Sequence, residues 1–286
     1  MRYLTFLLLA ISVYAPMTGS TENSESKAAV FVSVDVPGAT STIAENVNGF
    51  SNVVGSYVDS AGRTHGFLLK NSQYLTLDFP GAAATKSYSI NDGGLIIGTY
   101  FQGGVPQAFR FNKGTFQVLN VGSGSNYAFG LNRTGSVVGA YEKTCCTFHG
   151  YLYQQGGVIT INYPGAGSLG TIAYGISNAG TIVGVWNDTS NVQHGFMLEN
   201  SVFTSIDVPG ATVTAAFGVN NVDAVAGTYT DSGGVKHGFL LRSGIFQTLD
   251  FPGAVTTEIN GINDFGMIAG DYTDTQGVQH GFFTHN

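Results

Sequence analysis

Histidine recurs through this sequence in a short phrase, His-Gly followed by an aromatic residue, which raises the question of a metal site or a catalytic base. The phrase begins at His65, His149, His194, His237 and His280. Zinc needs its ligands at about 2.0 to 2.1 Å, whereas neighbouring strands of one sheet already lie about 4.8 Å apart. Histidines on the third strands of separate repeats cannot converge on one ion. We therefore expect no metal site and no catalysis from them.

Each of the first four histidines stands 13 residues before an acidic or amide residue, and this spacing favours a structural pair. The pairs are His65 with Asp78, His149 with Asn162, His194 with Asp207 and His237 with Asp250, and the copy without histidine has Gln107 and Asn120. A two-residue hairpin between the two strands, as at Asn71-Ser72, would place the partners opposite each other. We expect a cross-strand hydrogen bond in each copy.

Two carboxylates and one lysine break the repeat and are candidates for ligand chemistry. Lys86 and Glu258 stand at one position of the strand that ends in Ile-Asn, where other copies are apolar or aromatic, and Glu45 replaces an aromatic residue two positions further on. In a closed ring their copies are neighbours, so the side chains should cluster near the axis. Two carboxylates about 5 to 9.5 Å apart could serve a glycosidase. A solvated group of ion pairs is the plainer interpretation.

An aromatic residue closes a second repeated phrase in every copy. These residues are Tyr57, Tyr100, Tyr141, Trp186, Tyr229 and Tyr272. Rings at a loop-rich edge could stack on a sugar or a peptide, and packing between repeats is the alternative. We keep them as ligand-binding candidates.

The two cysteines, Cys145 and Cys146, are adjacent. They cannot join distant parts of the chain as the disulfides of small exported domains do. A bond between neighbours would be strained, which makes the pair a candidate redox feature, and two tolerated thiols in a surface loop are the plainer alternative.

The composition narrows the fold class. Of 286 residues, 41 are glycine and only 10% are charged, against roughly 25% in an average domain. This favours short strands joined by tight turns and excludes an all-α fold. The 20 Phe and 14 Tyr can bury a large core, which argues against disorder. The formal net charge of −7 leaves no basic face for nucleic acid or an anionic membrane.

Three phrases recur in six copies after residue 30. Besides His-Gly-Phe, they are Leu-Asp-Phe-Pro-Gly-Ala, at 77–82, and Ile-Asn-x-x-Gly followed by an apolar triplet, as at Ile90. The aromatic residues that close the latter phrase are 41 to 45 residues apart, and each copy contains four runs of strand character. A period of 40 to 50 residues with four strands is typical of a propeller blade. The sequence predicts an all-β, six-bladed β-propeller of four-stranded blades over residues 30–286.

The phasing of the copies predicts how the ring closes. The chain enters with a fourth-type strand, Val30 to Val36, and stops just after a third-type strand. The N-terminal strand can therefore complete the last blade and cover an edge that would otherwise be open. In that arrangement His280 should face Asp35. Repeated glycines on the innermost strands should let those strands approach closely near the axis; they are Gly130, Gly175, Gly218 and Gly261.

The repeated phrases resemble the HAF repeat of predicted extracellular bacterial proteins, which is named for a His-Ala-Phe tripeptide at the position where this chain mostly has His-Gly-Phe. The resemblance covers all six copies. It implies export and a β-repeat architecture, and it brings no catalytic residues to carry over.

Residues 1–20 have the order of a secretory signal: Met-Arg-Tyr, an apolar run from Leu4 to Ala15, then small and polar residues. Residues 21–29 read as a polar leader. The apolar run is shorter than the roughly 20 residues of a membrane span, and no later stretch approaches that length. We expect a secreted, periplasmic or extracellular protein with no membrane span and no cofactor.

These observations favour a binding module over an enzyme. In a propeller of this order, the Pro-Gly-Ala loops and the turns after the repeated aromatics share one face, which we call the rim face. We expect it to bind an extracellular carbohydrate or protein. The alternatives are a glycan hydrolase or lyase that uses Glu45 and Glu258, and a self-associating surface or matrix protein.

Overall fold

The computed structural model describes residues 30–122, 124–143 and 147–285, which form six four-stranded antiparallel sheets. We number these sheets as blades 1 to 6. Blade 1 contains β2 (Ser41–Val47), β3 (Val53–Val58), β4 (Thr64–Lys70) and β5 (Gln73–Leu77); blade 2 contains β6 (Ala84–Ile90), β7 (Ile96–Gln102), β8 (Val105–Asn112) and β9 (Thr115–Val118). Blade 3 contains β10 (Asn126–Leu131), β11 (Val137–Glu142), β12 (Phe148–Gln154) and β13 (Gly157–Ile161); blade 4 contains β14 (Thr171–Ile176), β15 (Ile182–Asn187), β16 (Gln193–Glu199) and β17 (Val202–Ile206).

Blade 5 contains β18 (Val213–Val219), β19 (Val225–Thr230), β20 (Lys236–Arg242) and β21 (Ile245–Thr248). Blade 6 is made from both ends of the described chain. It contains β22 (Thr256–Ile262), β23 (Ile268–Thr273) and β24 (Gln279–His285), and its outer strand is β1 (Val30–Val34). The predicted six-bladed, four-stranded propeller is confirmed.

Tight hairpins join the third and fourth strands of blades 1 to 5, as the sequence predicts. In blade 1 the turn residues Asn71 and Ser72 have φ values of 50° and 60°, and Lys70 is paired directly with Gln73. Positive φ at both positions is the geometry of a type I′ turn, whose twist matches that of the flanking strands. These turns fix the register of each outer strand pair.

Pairing of β1 with β24 closes the ring. The two strands run antiparallel, with Val30 opposite His285 and Val34 opposite Gly281. Val34 is fully buried, and Phe31 packs on Phe282 and Phe251 of the adjacent core. Each innermost strand also contacts the innermost strand of the next blade, including β22 with β2. The predicted closure by the N-terminal strand is confirmed.

The core lies between the blades and is built by the aromatic residue of the His-Gly-Phe phrase. These rings are fully or almost fully buried in every blade: Phe67, Phe109, Tyr151, Phe196, Phe239 and Phe282. Each lies beneath a glycine of the neighbouring strand in its own blade. A Cβ added at Gly98, for example, would lie 2.7 Å from the Phe109 ring and 2.0 Å from the Lys86 carbonyl oxygen. The glycine is needed because no side chain fits there.

The innermost strand of every blade contains a β-bulge. The register shifts by one residue at Glu45, Tyr88, Phe129, Tyr174, Phe217 and Asn260. A bulge re-aims the extra residue, and here it brings one side chain of each blade towards the axis. The inner strands also approach closely, since a Cβ on Gly175 would lie 2.7 Å from the carbonyl oxygen of Phe217. The predicted role of this glycine is confirmed.

None of the segments that the structure describes forms a helix of the length and apolar character needed to cross a membrane.

Closure by β1 predicts the effect of shortening the chain. A chain that begins at residue 35 loses the buried Val34 and the whole pairing with β24, whereas a chain that begins at residue 30 keeps both. We expect the shorter chain to unfold at least about 10 °C lower and to self-associate through the exposed edge of β24. Calorimetry and size-exclusion chromatography of the two chains measure this. Equal melting temperatures would contradict the role of β1.

Candidate functional site

The repeated histidines are held on the rim side by carboxylates in blades 1, 4, 5 and 6 and by an amide in blade 3. Nδ1 of His65 lies 2.9 Å from Asp78 Oδ2, and the equivalent distances are 2.7 Å for His194 with Asp207 and 2.9 Å for His237 with Asp250. In blade 3, His149 Nδ1 lies 3.0 Å from Asn162 Oδ1. In blade 6, His280 Nδ1 lies 2.9 Å from Asp35 Oδ1, across 245 residues of sequence.

A second aspartate faces the other nitrogen of most of these imidazoles. Nε2 of His65 lies 3.2 Å from Asp59 Oδ2, while Asp59 Oδ1 accepts hydrogen bonds from the backbone of its own turn at Ala61 and Arg63. Burial alone would lower the pKa of His65, but the hydrogen bonds to Asp78 and Asp59 outweigh burial and raise this pKa above 6.5. The arrangement stabilises imidazolium and ties the turn to the outer strands, so its role is structural.

Blade 2 departs from the expected pairing. Gln107 stands in place of histidine, and its side chain bonds Gly124 and Asn126 rather than Asn120. Asn126 also accepts a hydrogen bond from the Ala108 backbone. The other blades have a buried threonine, such as Thr85, at the position of Asn126. Because the amide of Asn126 is longer, it reaches Gln107, and the pairing predicted from the 13-residue spacing is not made.

The six repeated aromatic residues pack within and between the blades. Tyr100 stacks on Phe79 of the preceding blade with ring centroids 3.7 Å apart, and Tyr272 stacks on Phe251 in the same way. Tyr57 stacks on His65 instead, and its hydroxyl lies 3.0 Å from Thr76 Oγ1. Tyr141 and Tyr229 lie against the histidines of their own blades, as Tyr57 does, and Trp186 stacks on Tyr163 of the preceding blade. Their faces are therefore occupied by the protein itself.

The predicted acidic cluster lies on the rim side of the channel and includes an aspartate that the sequence analysis missed. Glu258 Oε1 forms a 2.6 Å ion pair with Lys236 Nζ. Directly opposite Glu258 on the next strand is Asp271, which is 96% buried and accepts hydrogen bonds from Gln279 and Asn260. Asp271 also breaks the repeat, since Ser56, Thr99, Ala140, Val185 and Thr228 occupy its position. That departure was the signal that could have found it.

Burial raises the pKa values of two of these acids. Burial, and then the charge of Asp271, raises the pKa of Glu45 to about 8 against the opposing effect of Lys86. Burial also raises the pKa of Asp271 to about 6, although the hydrogen bonds from Gln279 and Asn260 oppose it. Glu258 is paired with Lys236, and Asp271 accepts two amide hydrogen bonds, so the group is a network of ion pairs and hydrogen bonds. It is partly buried and not fully solvated as the plainer interpretation expected.

The bulge residues form a ring around the axis. Tyr88 packs edge to face on Phe129 with centroids 4.9 Å apart, Phe129 lies 4.7 Å from Tyr174, and Tyr174 lies 4.9 Å from Phe217. Asn260 and Glu45 complete the ring in blades 6 and 1. Each aromatic member contacts the next, so together they narrow the channel.

A blind pocket on the propeller axis begins at this ring and opens on the face opposite the rim. Its volume is about 100 Å³. The four aromatic bulge residues and Asn260 line it, and Glu45 does not. Its mouth lies among the turns between the first and second strands, which begin at Asn48, Asn91, Asn132, Ser177, Asn220 and Asn263. We call this side of the molecule the turn face.

Asparagine side chains join these turns from blade to blade. Asn48 Nδ2 donates to the Asn91 carbonyl at 3.2 Å, and Asn263 Nδ2 donates to the Asn48 carbonyl at 3.1 Å across the ring closure. Asn91, Asn132 and Asn220 make the same bond to the following blade. Ser177 is the exception, and its hydroxyl bonds its own turn at Thr181. The repeated Asn of the Ile-Asn phrase therefore holds the pocket mouth together.

The residue after the first residue of each turn varies among the blades and lies around the mouth. Gly49, Asp92, Arg133, Asn178 and Asp264 line the pocket, and Asn221 lies against Asp264. Asp264 Oδ2 accepts hydrogen bonds from Asn178 Nδ2 at 3.0 Å and from Asn221 Nδ2 at 2.8 Å. Arg133 is exposed and lies 3.7 Å from Asp92. Planar amide, carboxylate and guanidinium groups thus converge at one opening.

Exposed apolar side chains stand next to this polar ring. Phe265 lines the mouth and is 66% exposed, and its ring occupies the space over Gly49, where an added Cβ would lie 2.6 Å from Phe265 Cε2. Phe50 and Val222 occupy the same turn position in the two adjacent blades and are 70% and 77% exposed. The sequence analysis missed this surface, because neighbouring blades bring these turn residues together.

The rim face contains a second cavity, which lies at the ring closure. Its volume is about 360 Å³, and it is lined by residues 35–42 and by Val278, Gln279 and His280. Its walls are mainly a Pro-Gly-Ala loop and residues of the repeated phrases. The cysteine pair, Cys145 and Cys146, which we considered as a redox feature, lies outside the described residues.

Comparison of the sequence with protein-family models finds no match, and comparison with curated proteins finds none either. The resemblance to the HAF repeat therefore stays a prediction, while the β-repeat architecture it implies is present.

Solved structures share the fold. The Aleuria aurantia lectin, a six-bladed β-propeller that recognises fucose, matches with a TM-score of 0.52 and 11% identity over 85% of this chain and 91% of the lectin. The SapL1 lectin in complex with α-methyl fucoside matches with a TM-score of 0.58 and 10% identity over 87% and 94% of the two chains. TolB from Acinetobacter baumannii matches with a TM-score of 0.51 and 12% identity over 86% of this chain and 54% of TolB. At these identities the likeness shows the fold alone.

The raised pKa of Glu45 predicts a pH-dependent stability. The folded chain keeps a proton that the unfolded chain releases near pH 4.5, so the contribution of Glu45 to the free energy of unfolding falls as the pH rises from 4.5 to about 8. Between about pH 5 and pH 8, we expect the free energy of unfolding of the unchanged protein to fall by about 2 kcal/mol more than that of Glu45→Gln. Urea unfolding across this range measures the difference. The control is Glu199→Gln, at an exposed position on an outer hairpin, and identical pH profiles for all three proteins would contradict the burial of Glu45.

Proposed function

We propose that this protein is a carbohydrate-binding module and that the axial pocket on the turn face is its binding site. The observation that carries the proposal is the juxtaposition at the mouth of exposed Phe265 with the planar polar side chains of Asn178, Asn221 and Asp264. A sugar presents an apolar face of C–H groups and an edge of hydroxyls. Concave sites that combine aromatic surface with a few placed polar groups suit such a ligand.

The hydrogen-bonding capacity of the mouth supports this proposal. The amides of Asn178 and Asn221 each use one donor on Asp264, so each NH2 group retains a second donor. These two bonds hold Asp264 Oδ2 in a defined position, and Arg133 supplies further donors at the mouth, near Asp92. Hydroxyl groups, which both donate and accept, can use donors and acceptors of this kind together.

The fold is compatible with the proposal. Two of the similar propellers, the Aleuria aurantia lectin and SapL1, are described with fucose or a fucoside as ligand. Their ligands are properties of those proteins, and a shared fold hosts many functions. They support the idea that a six-bladed propeller is a suitable scaffold for sugar recognition. The secretion expected from residues 1–20 belongs to the same proposal, since a secreted module would meet extracellular glycans.

A glycan array with the labelled full chain tests the proposal, followed by calorimetric titration of the glycans that bind. We expect Phe265→Ala to weaken binding at least about tenfold, which is ~1.4 kcal/mol. Ile245→Ala is the matched control, because it also removes an exposed apolar side chain but lies on the outer strand of blade 5.

A third variant distinguishes the two faces. Thr40→Trp would fill the rim cavity, where Thr40 is exposed, and would leave the axial mouth unchanged. Loss of glycan binding in Thr40→Trp with full binding in Phe265→Ala would move the site to the rim face. Absence of any bound glycan in the array would refute the proposed function.

A further inference from the structure

The axial pocket has no counterpart elsewhere in the repeat. The six residues around its mouth are all contributed by the same turn position, yet the position holds glycine, two aspartates, an arginine and two asparagines. A site that lies on the axis is shared by all blades, so it occurs once for each chain. A site between blades could instead occur up to six times.

The mouth of the pocket carries an excess of negative charge. Of the residues that line it, Asp92 and Asp264 are negative and Arg133 is positive. Arg242 is outside this lining, and its Nη2 lies 3.4 Å from the place of a Cβ added at Gly266, in the same turn as Asp264. Arg133 lies 3.7 Å from Asp92 and is itself exposed, whereas the partners of Asp264 are the side-chain amides of Asn178 and Asn221 and the backbone N–H of Asn221. Within the residues that the structure describes, no lysine, arginine or histidine forms an ion pair with Asp264.

The interior of the pocket is small and ends on aromatic rings. About 100 Å³ is room for several water molecules, since a cavity measured in this way needs about 10 to 15 Å³ to hold one. Such a space accepts one substituent of a sugar and not a chain that passes through. The side chains of Tyr88, Phe129, Tyr174, Phe217 and Asn260 line its inner end, and such a set of uncharged groups suits a neutral substituent better than a charged one.

We infer that the axial pocket binds one neutral sugar residue per chain, at the end of a glycan, and discriminates against acidic glycans. This inference rests on the proposed carbohydrate-binding function and adds to it the ligand class and the stoichiometry. A carboxylate or sulfate at the mouth would lie near the charge of Asp264, which neutral N–H groups stabilise without an ion pair, whereas hydroxyls can share the amides of Asn178 and Asn221. Like charges at such distances repel strongly where solvent is partly excluded.

Matched neutral and acidic glycans test this inference with the full chain. The array should contain galactosides with galacturonides, glucosides with glucuronides, and glycans with and without terminal sialic acid. For each pair, we expect the acidic member to bind about tenfold more weakly or worse at low salt, and the ratio to shrink as added salt screens the charges. Calorimetric titration of the tightest neutral glycan should give one site per chain.

Charge removal at the mouth tests the cause. We expect Asp264→Asn to reduce the acidic-to-neutral ratio of dissociation constants by about threefold or more, and Asp92→Asn to reduce it as well. Glu199→Gln removes one charge from a remote hairpin and should leave the ratio unchanged. Thermal unfolding of each variant checks its fold, and because two separate carboxylates are tested, failure of one variant to fold does not stop the experiment.

The outcomes are distinct for the two proposals. Acidic glycans that bind as well as their neutral partners, or several binding sites per chain, would overturn this inference and leave the proposed function standing. A ratio that Glu199→Gln changes as much as Asp264→Asn does would overturn it too, because the discrimination would then come from net charge. If no glycan in the array binds, the proposed function itself fails.

Discussion

Antiparallel pairing of β1 with β24 is the interaction on which the axial architecture depends. It joins the two ends of the described chain, with Val34 opposite Gly281, and so fixes blade 6 against blade 1. Only in a closed ring do six bulged inner strands face a common axis. The last link of the asparagine ladder, from Asn263 to the carbonyl of Asn48, also spans this junction. Without closure, the pocket would lose one wall and the mouth would lose the contact of Phe265 with Gly49 of blade 1.

Inner strands that pack this closely leave little choice of side chain, and this makes the departures from the repeat informative. Gly175 and Gly218 stand where a Cβ would overlap the backbone of the next blade. The bulge residues beside them fill the axis with aromatic rings in four blades, and polar groups replace those rings at Glu45 and Asn260. The polar replacements lie on adjacent blades, next to Asp271. The repeated residues therefore form the scaffold, whereas the polar residues that replace them lie together on one side of the channel.

Much of the fold could be predicted from the sequence because its signals are local or periodic. The spacing of Tyr57 and its equivalents gave the blade length, Asn71-Ser72 gave the hairpin, and the terminal phasing gave the closure. The axial pocket could not be predicted in this way. A β-bulge re-aims Tyr88 or Phe129 without a distinctive local sequence, and the mouth combines single residues from turns about 43 residues apart. Asp271 lies on the second strand of its blade, and its place beside Glu258 depends on the strand register, which the pattern of the innermost strand does not contain.

The turn face is a better candidate site than the rim face. On the rim, the repeated groups satisfy one another: His280 is held by Asp35 and Asp274, and Tyr272 is stacked on Phe251. Groups so engaged stabilise the blade and have little capacity left for a ligand. At the axial mouth the asparagine ladder lies one residue earlier in each turn. The residue after it also joins the blades, since a side-chain oxygen of Asp92 accepts the Gly49 N–H and one of Asp264 accepts the Asn221 N–H. Each of these side chains has a second polar group, and these groups lie around a single opening.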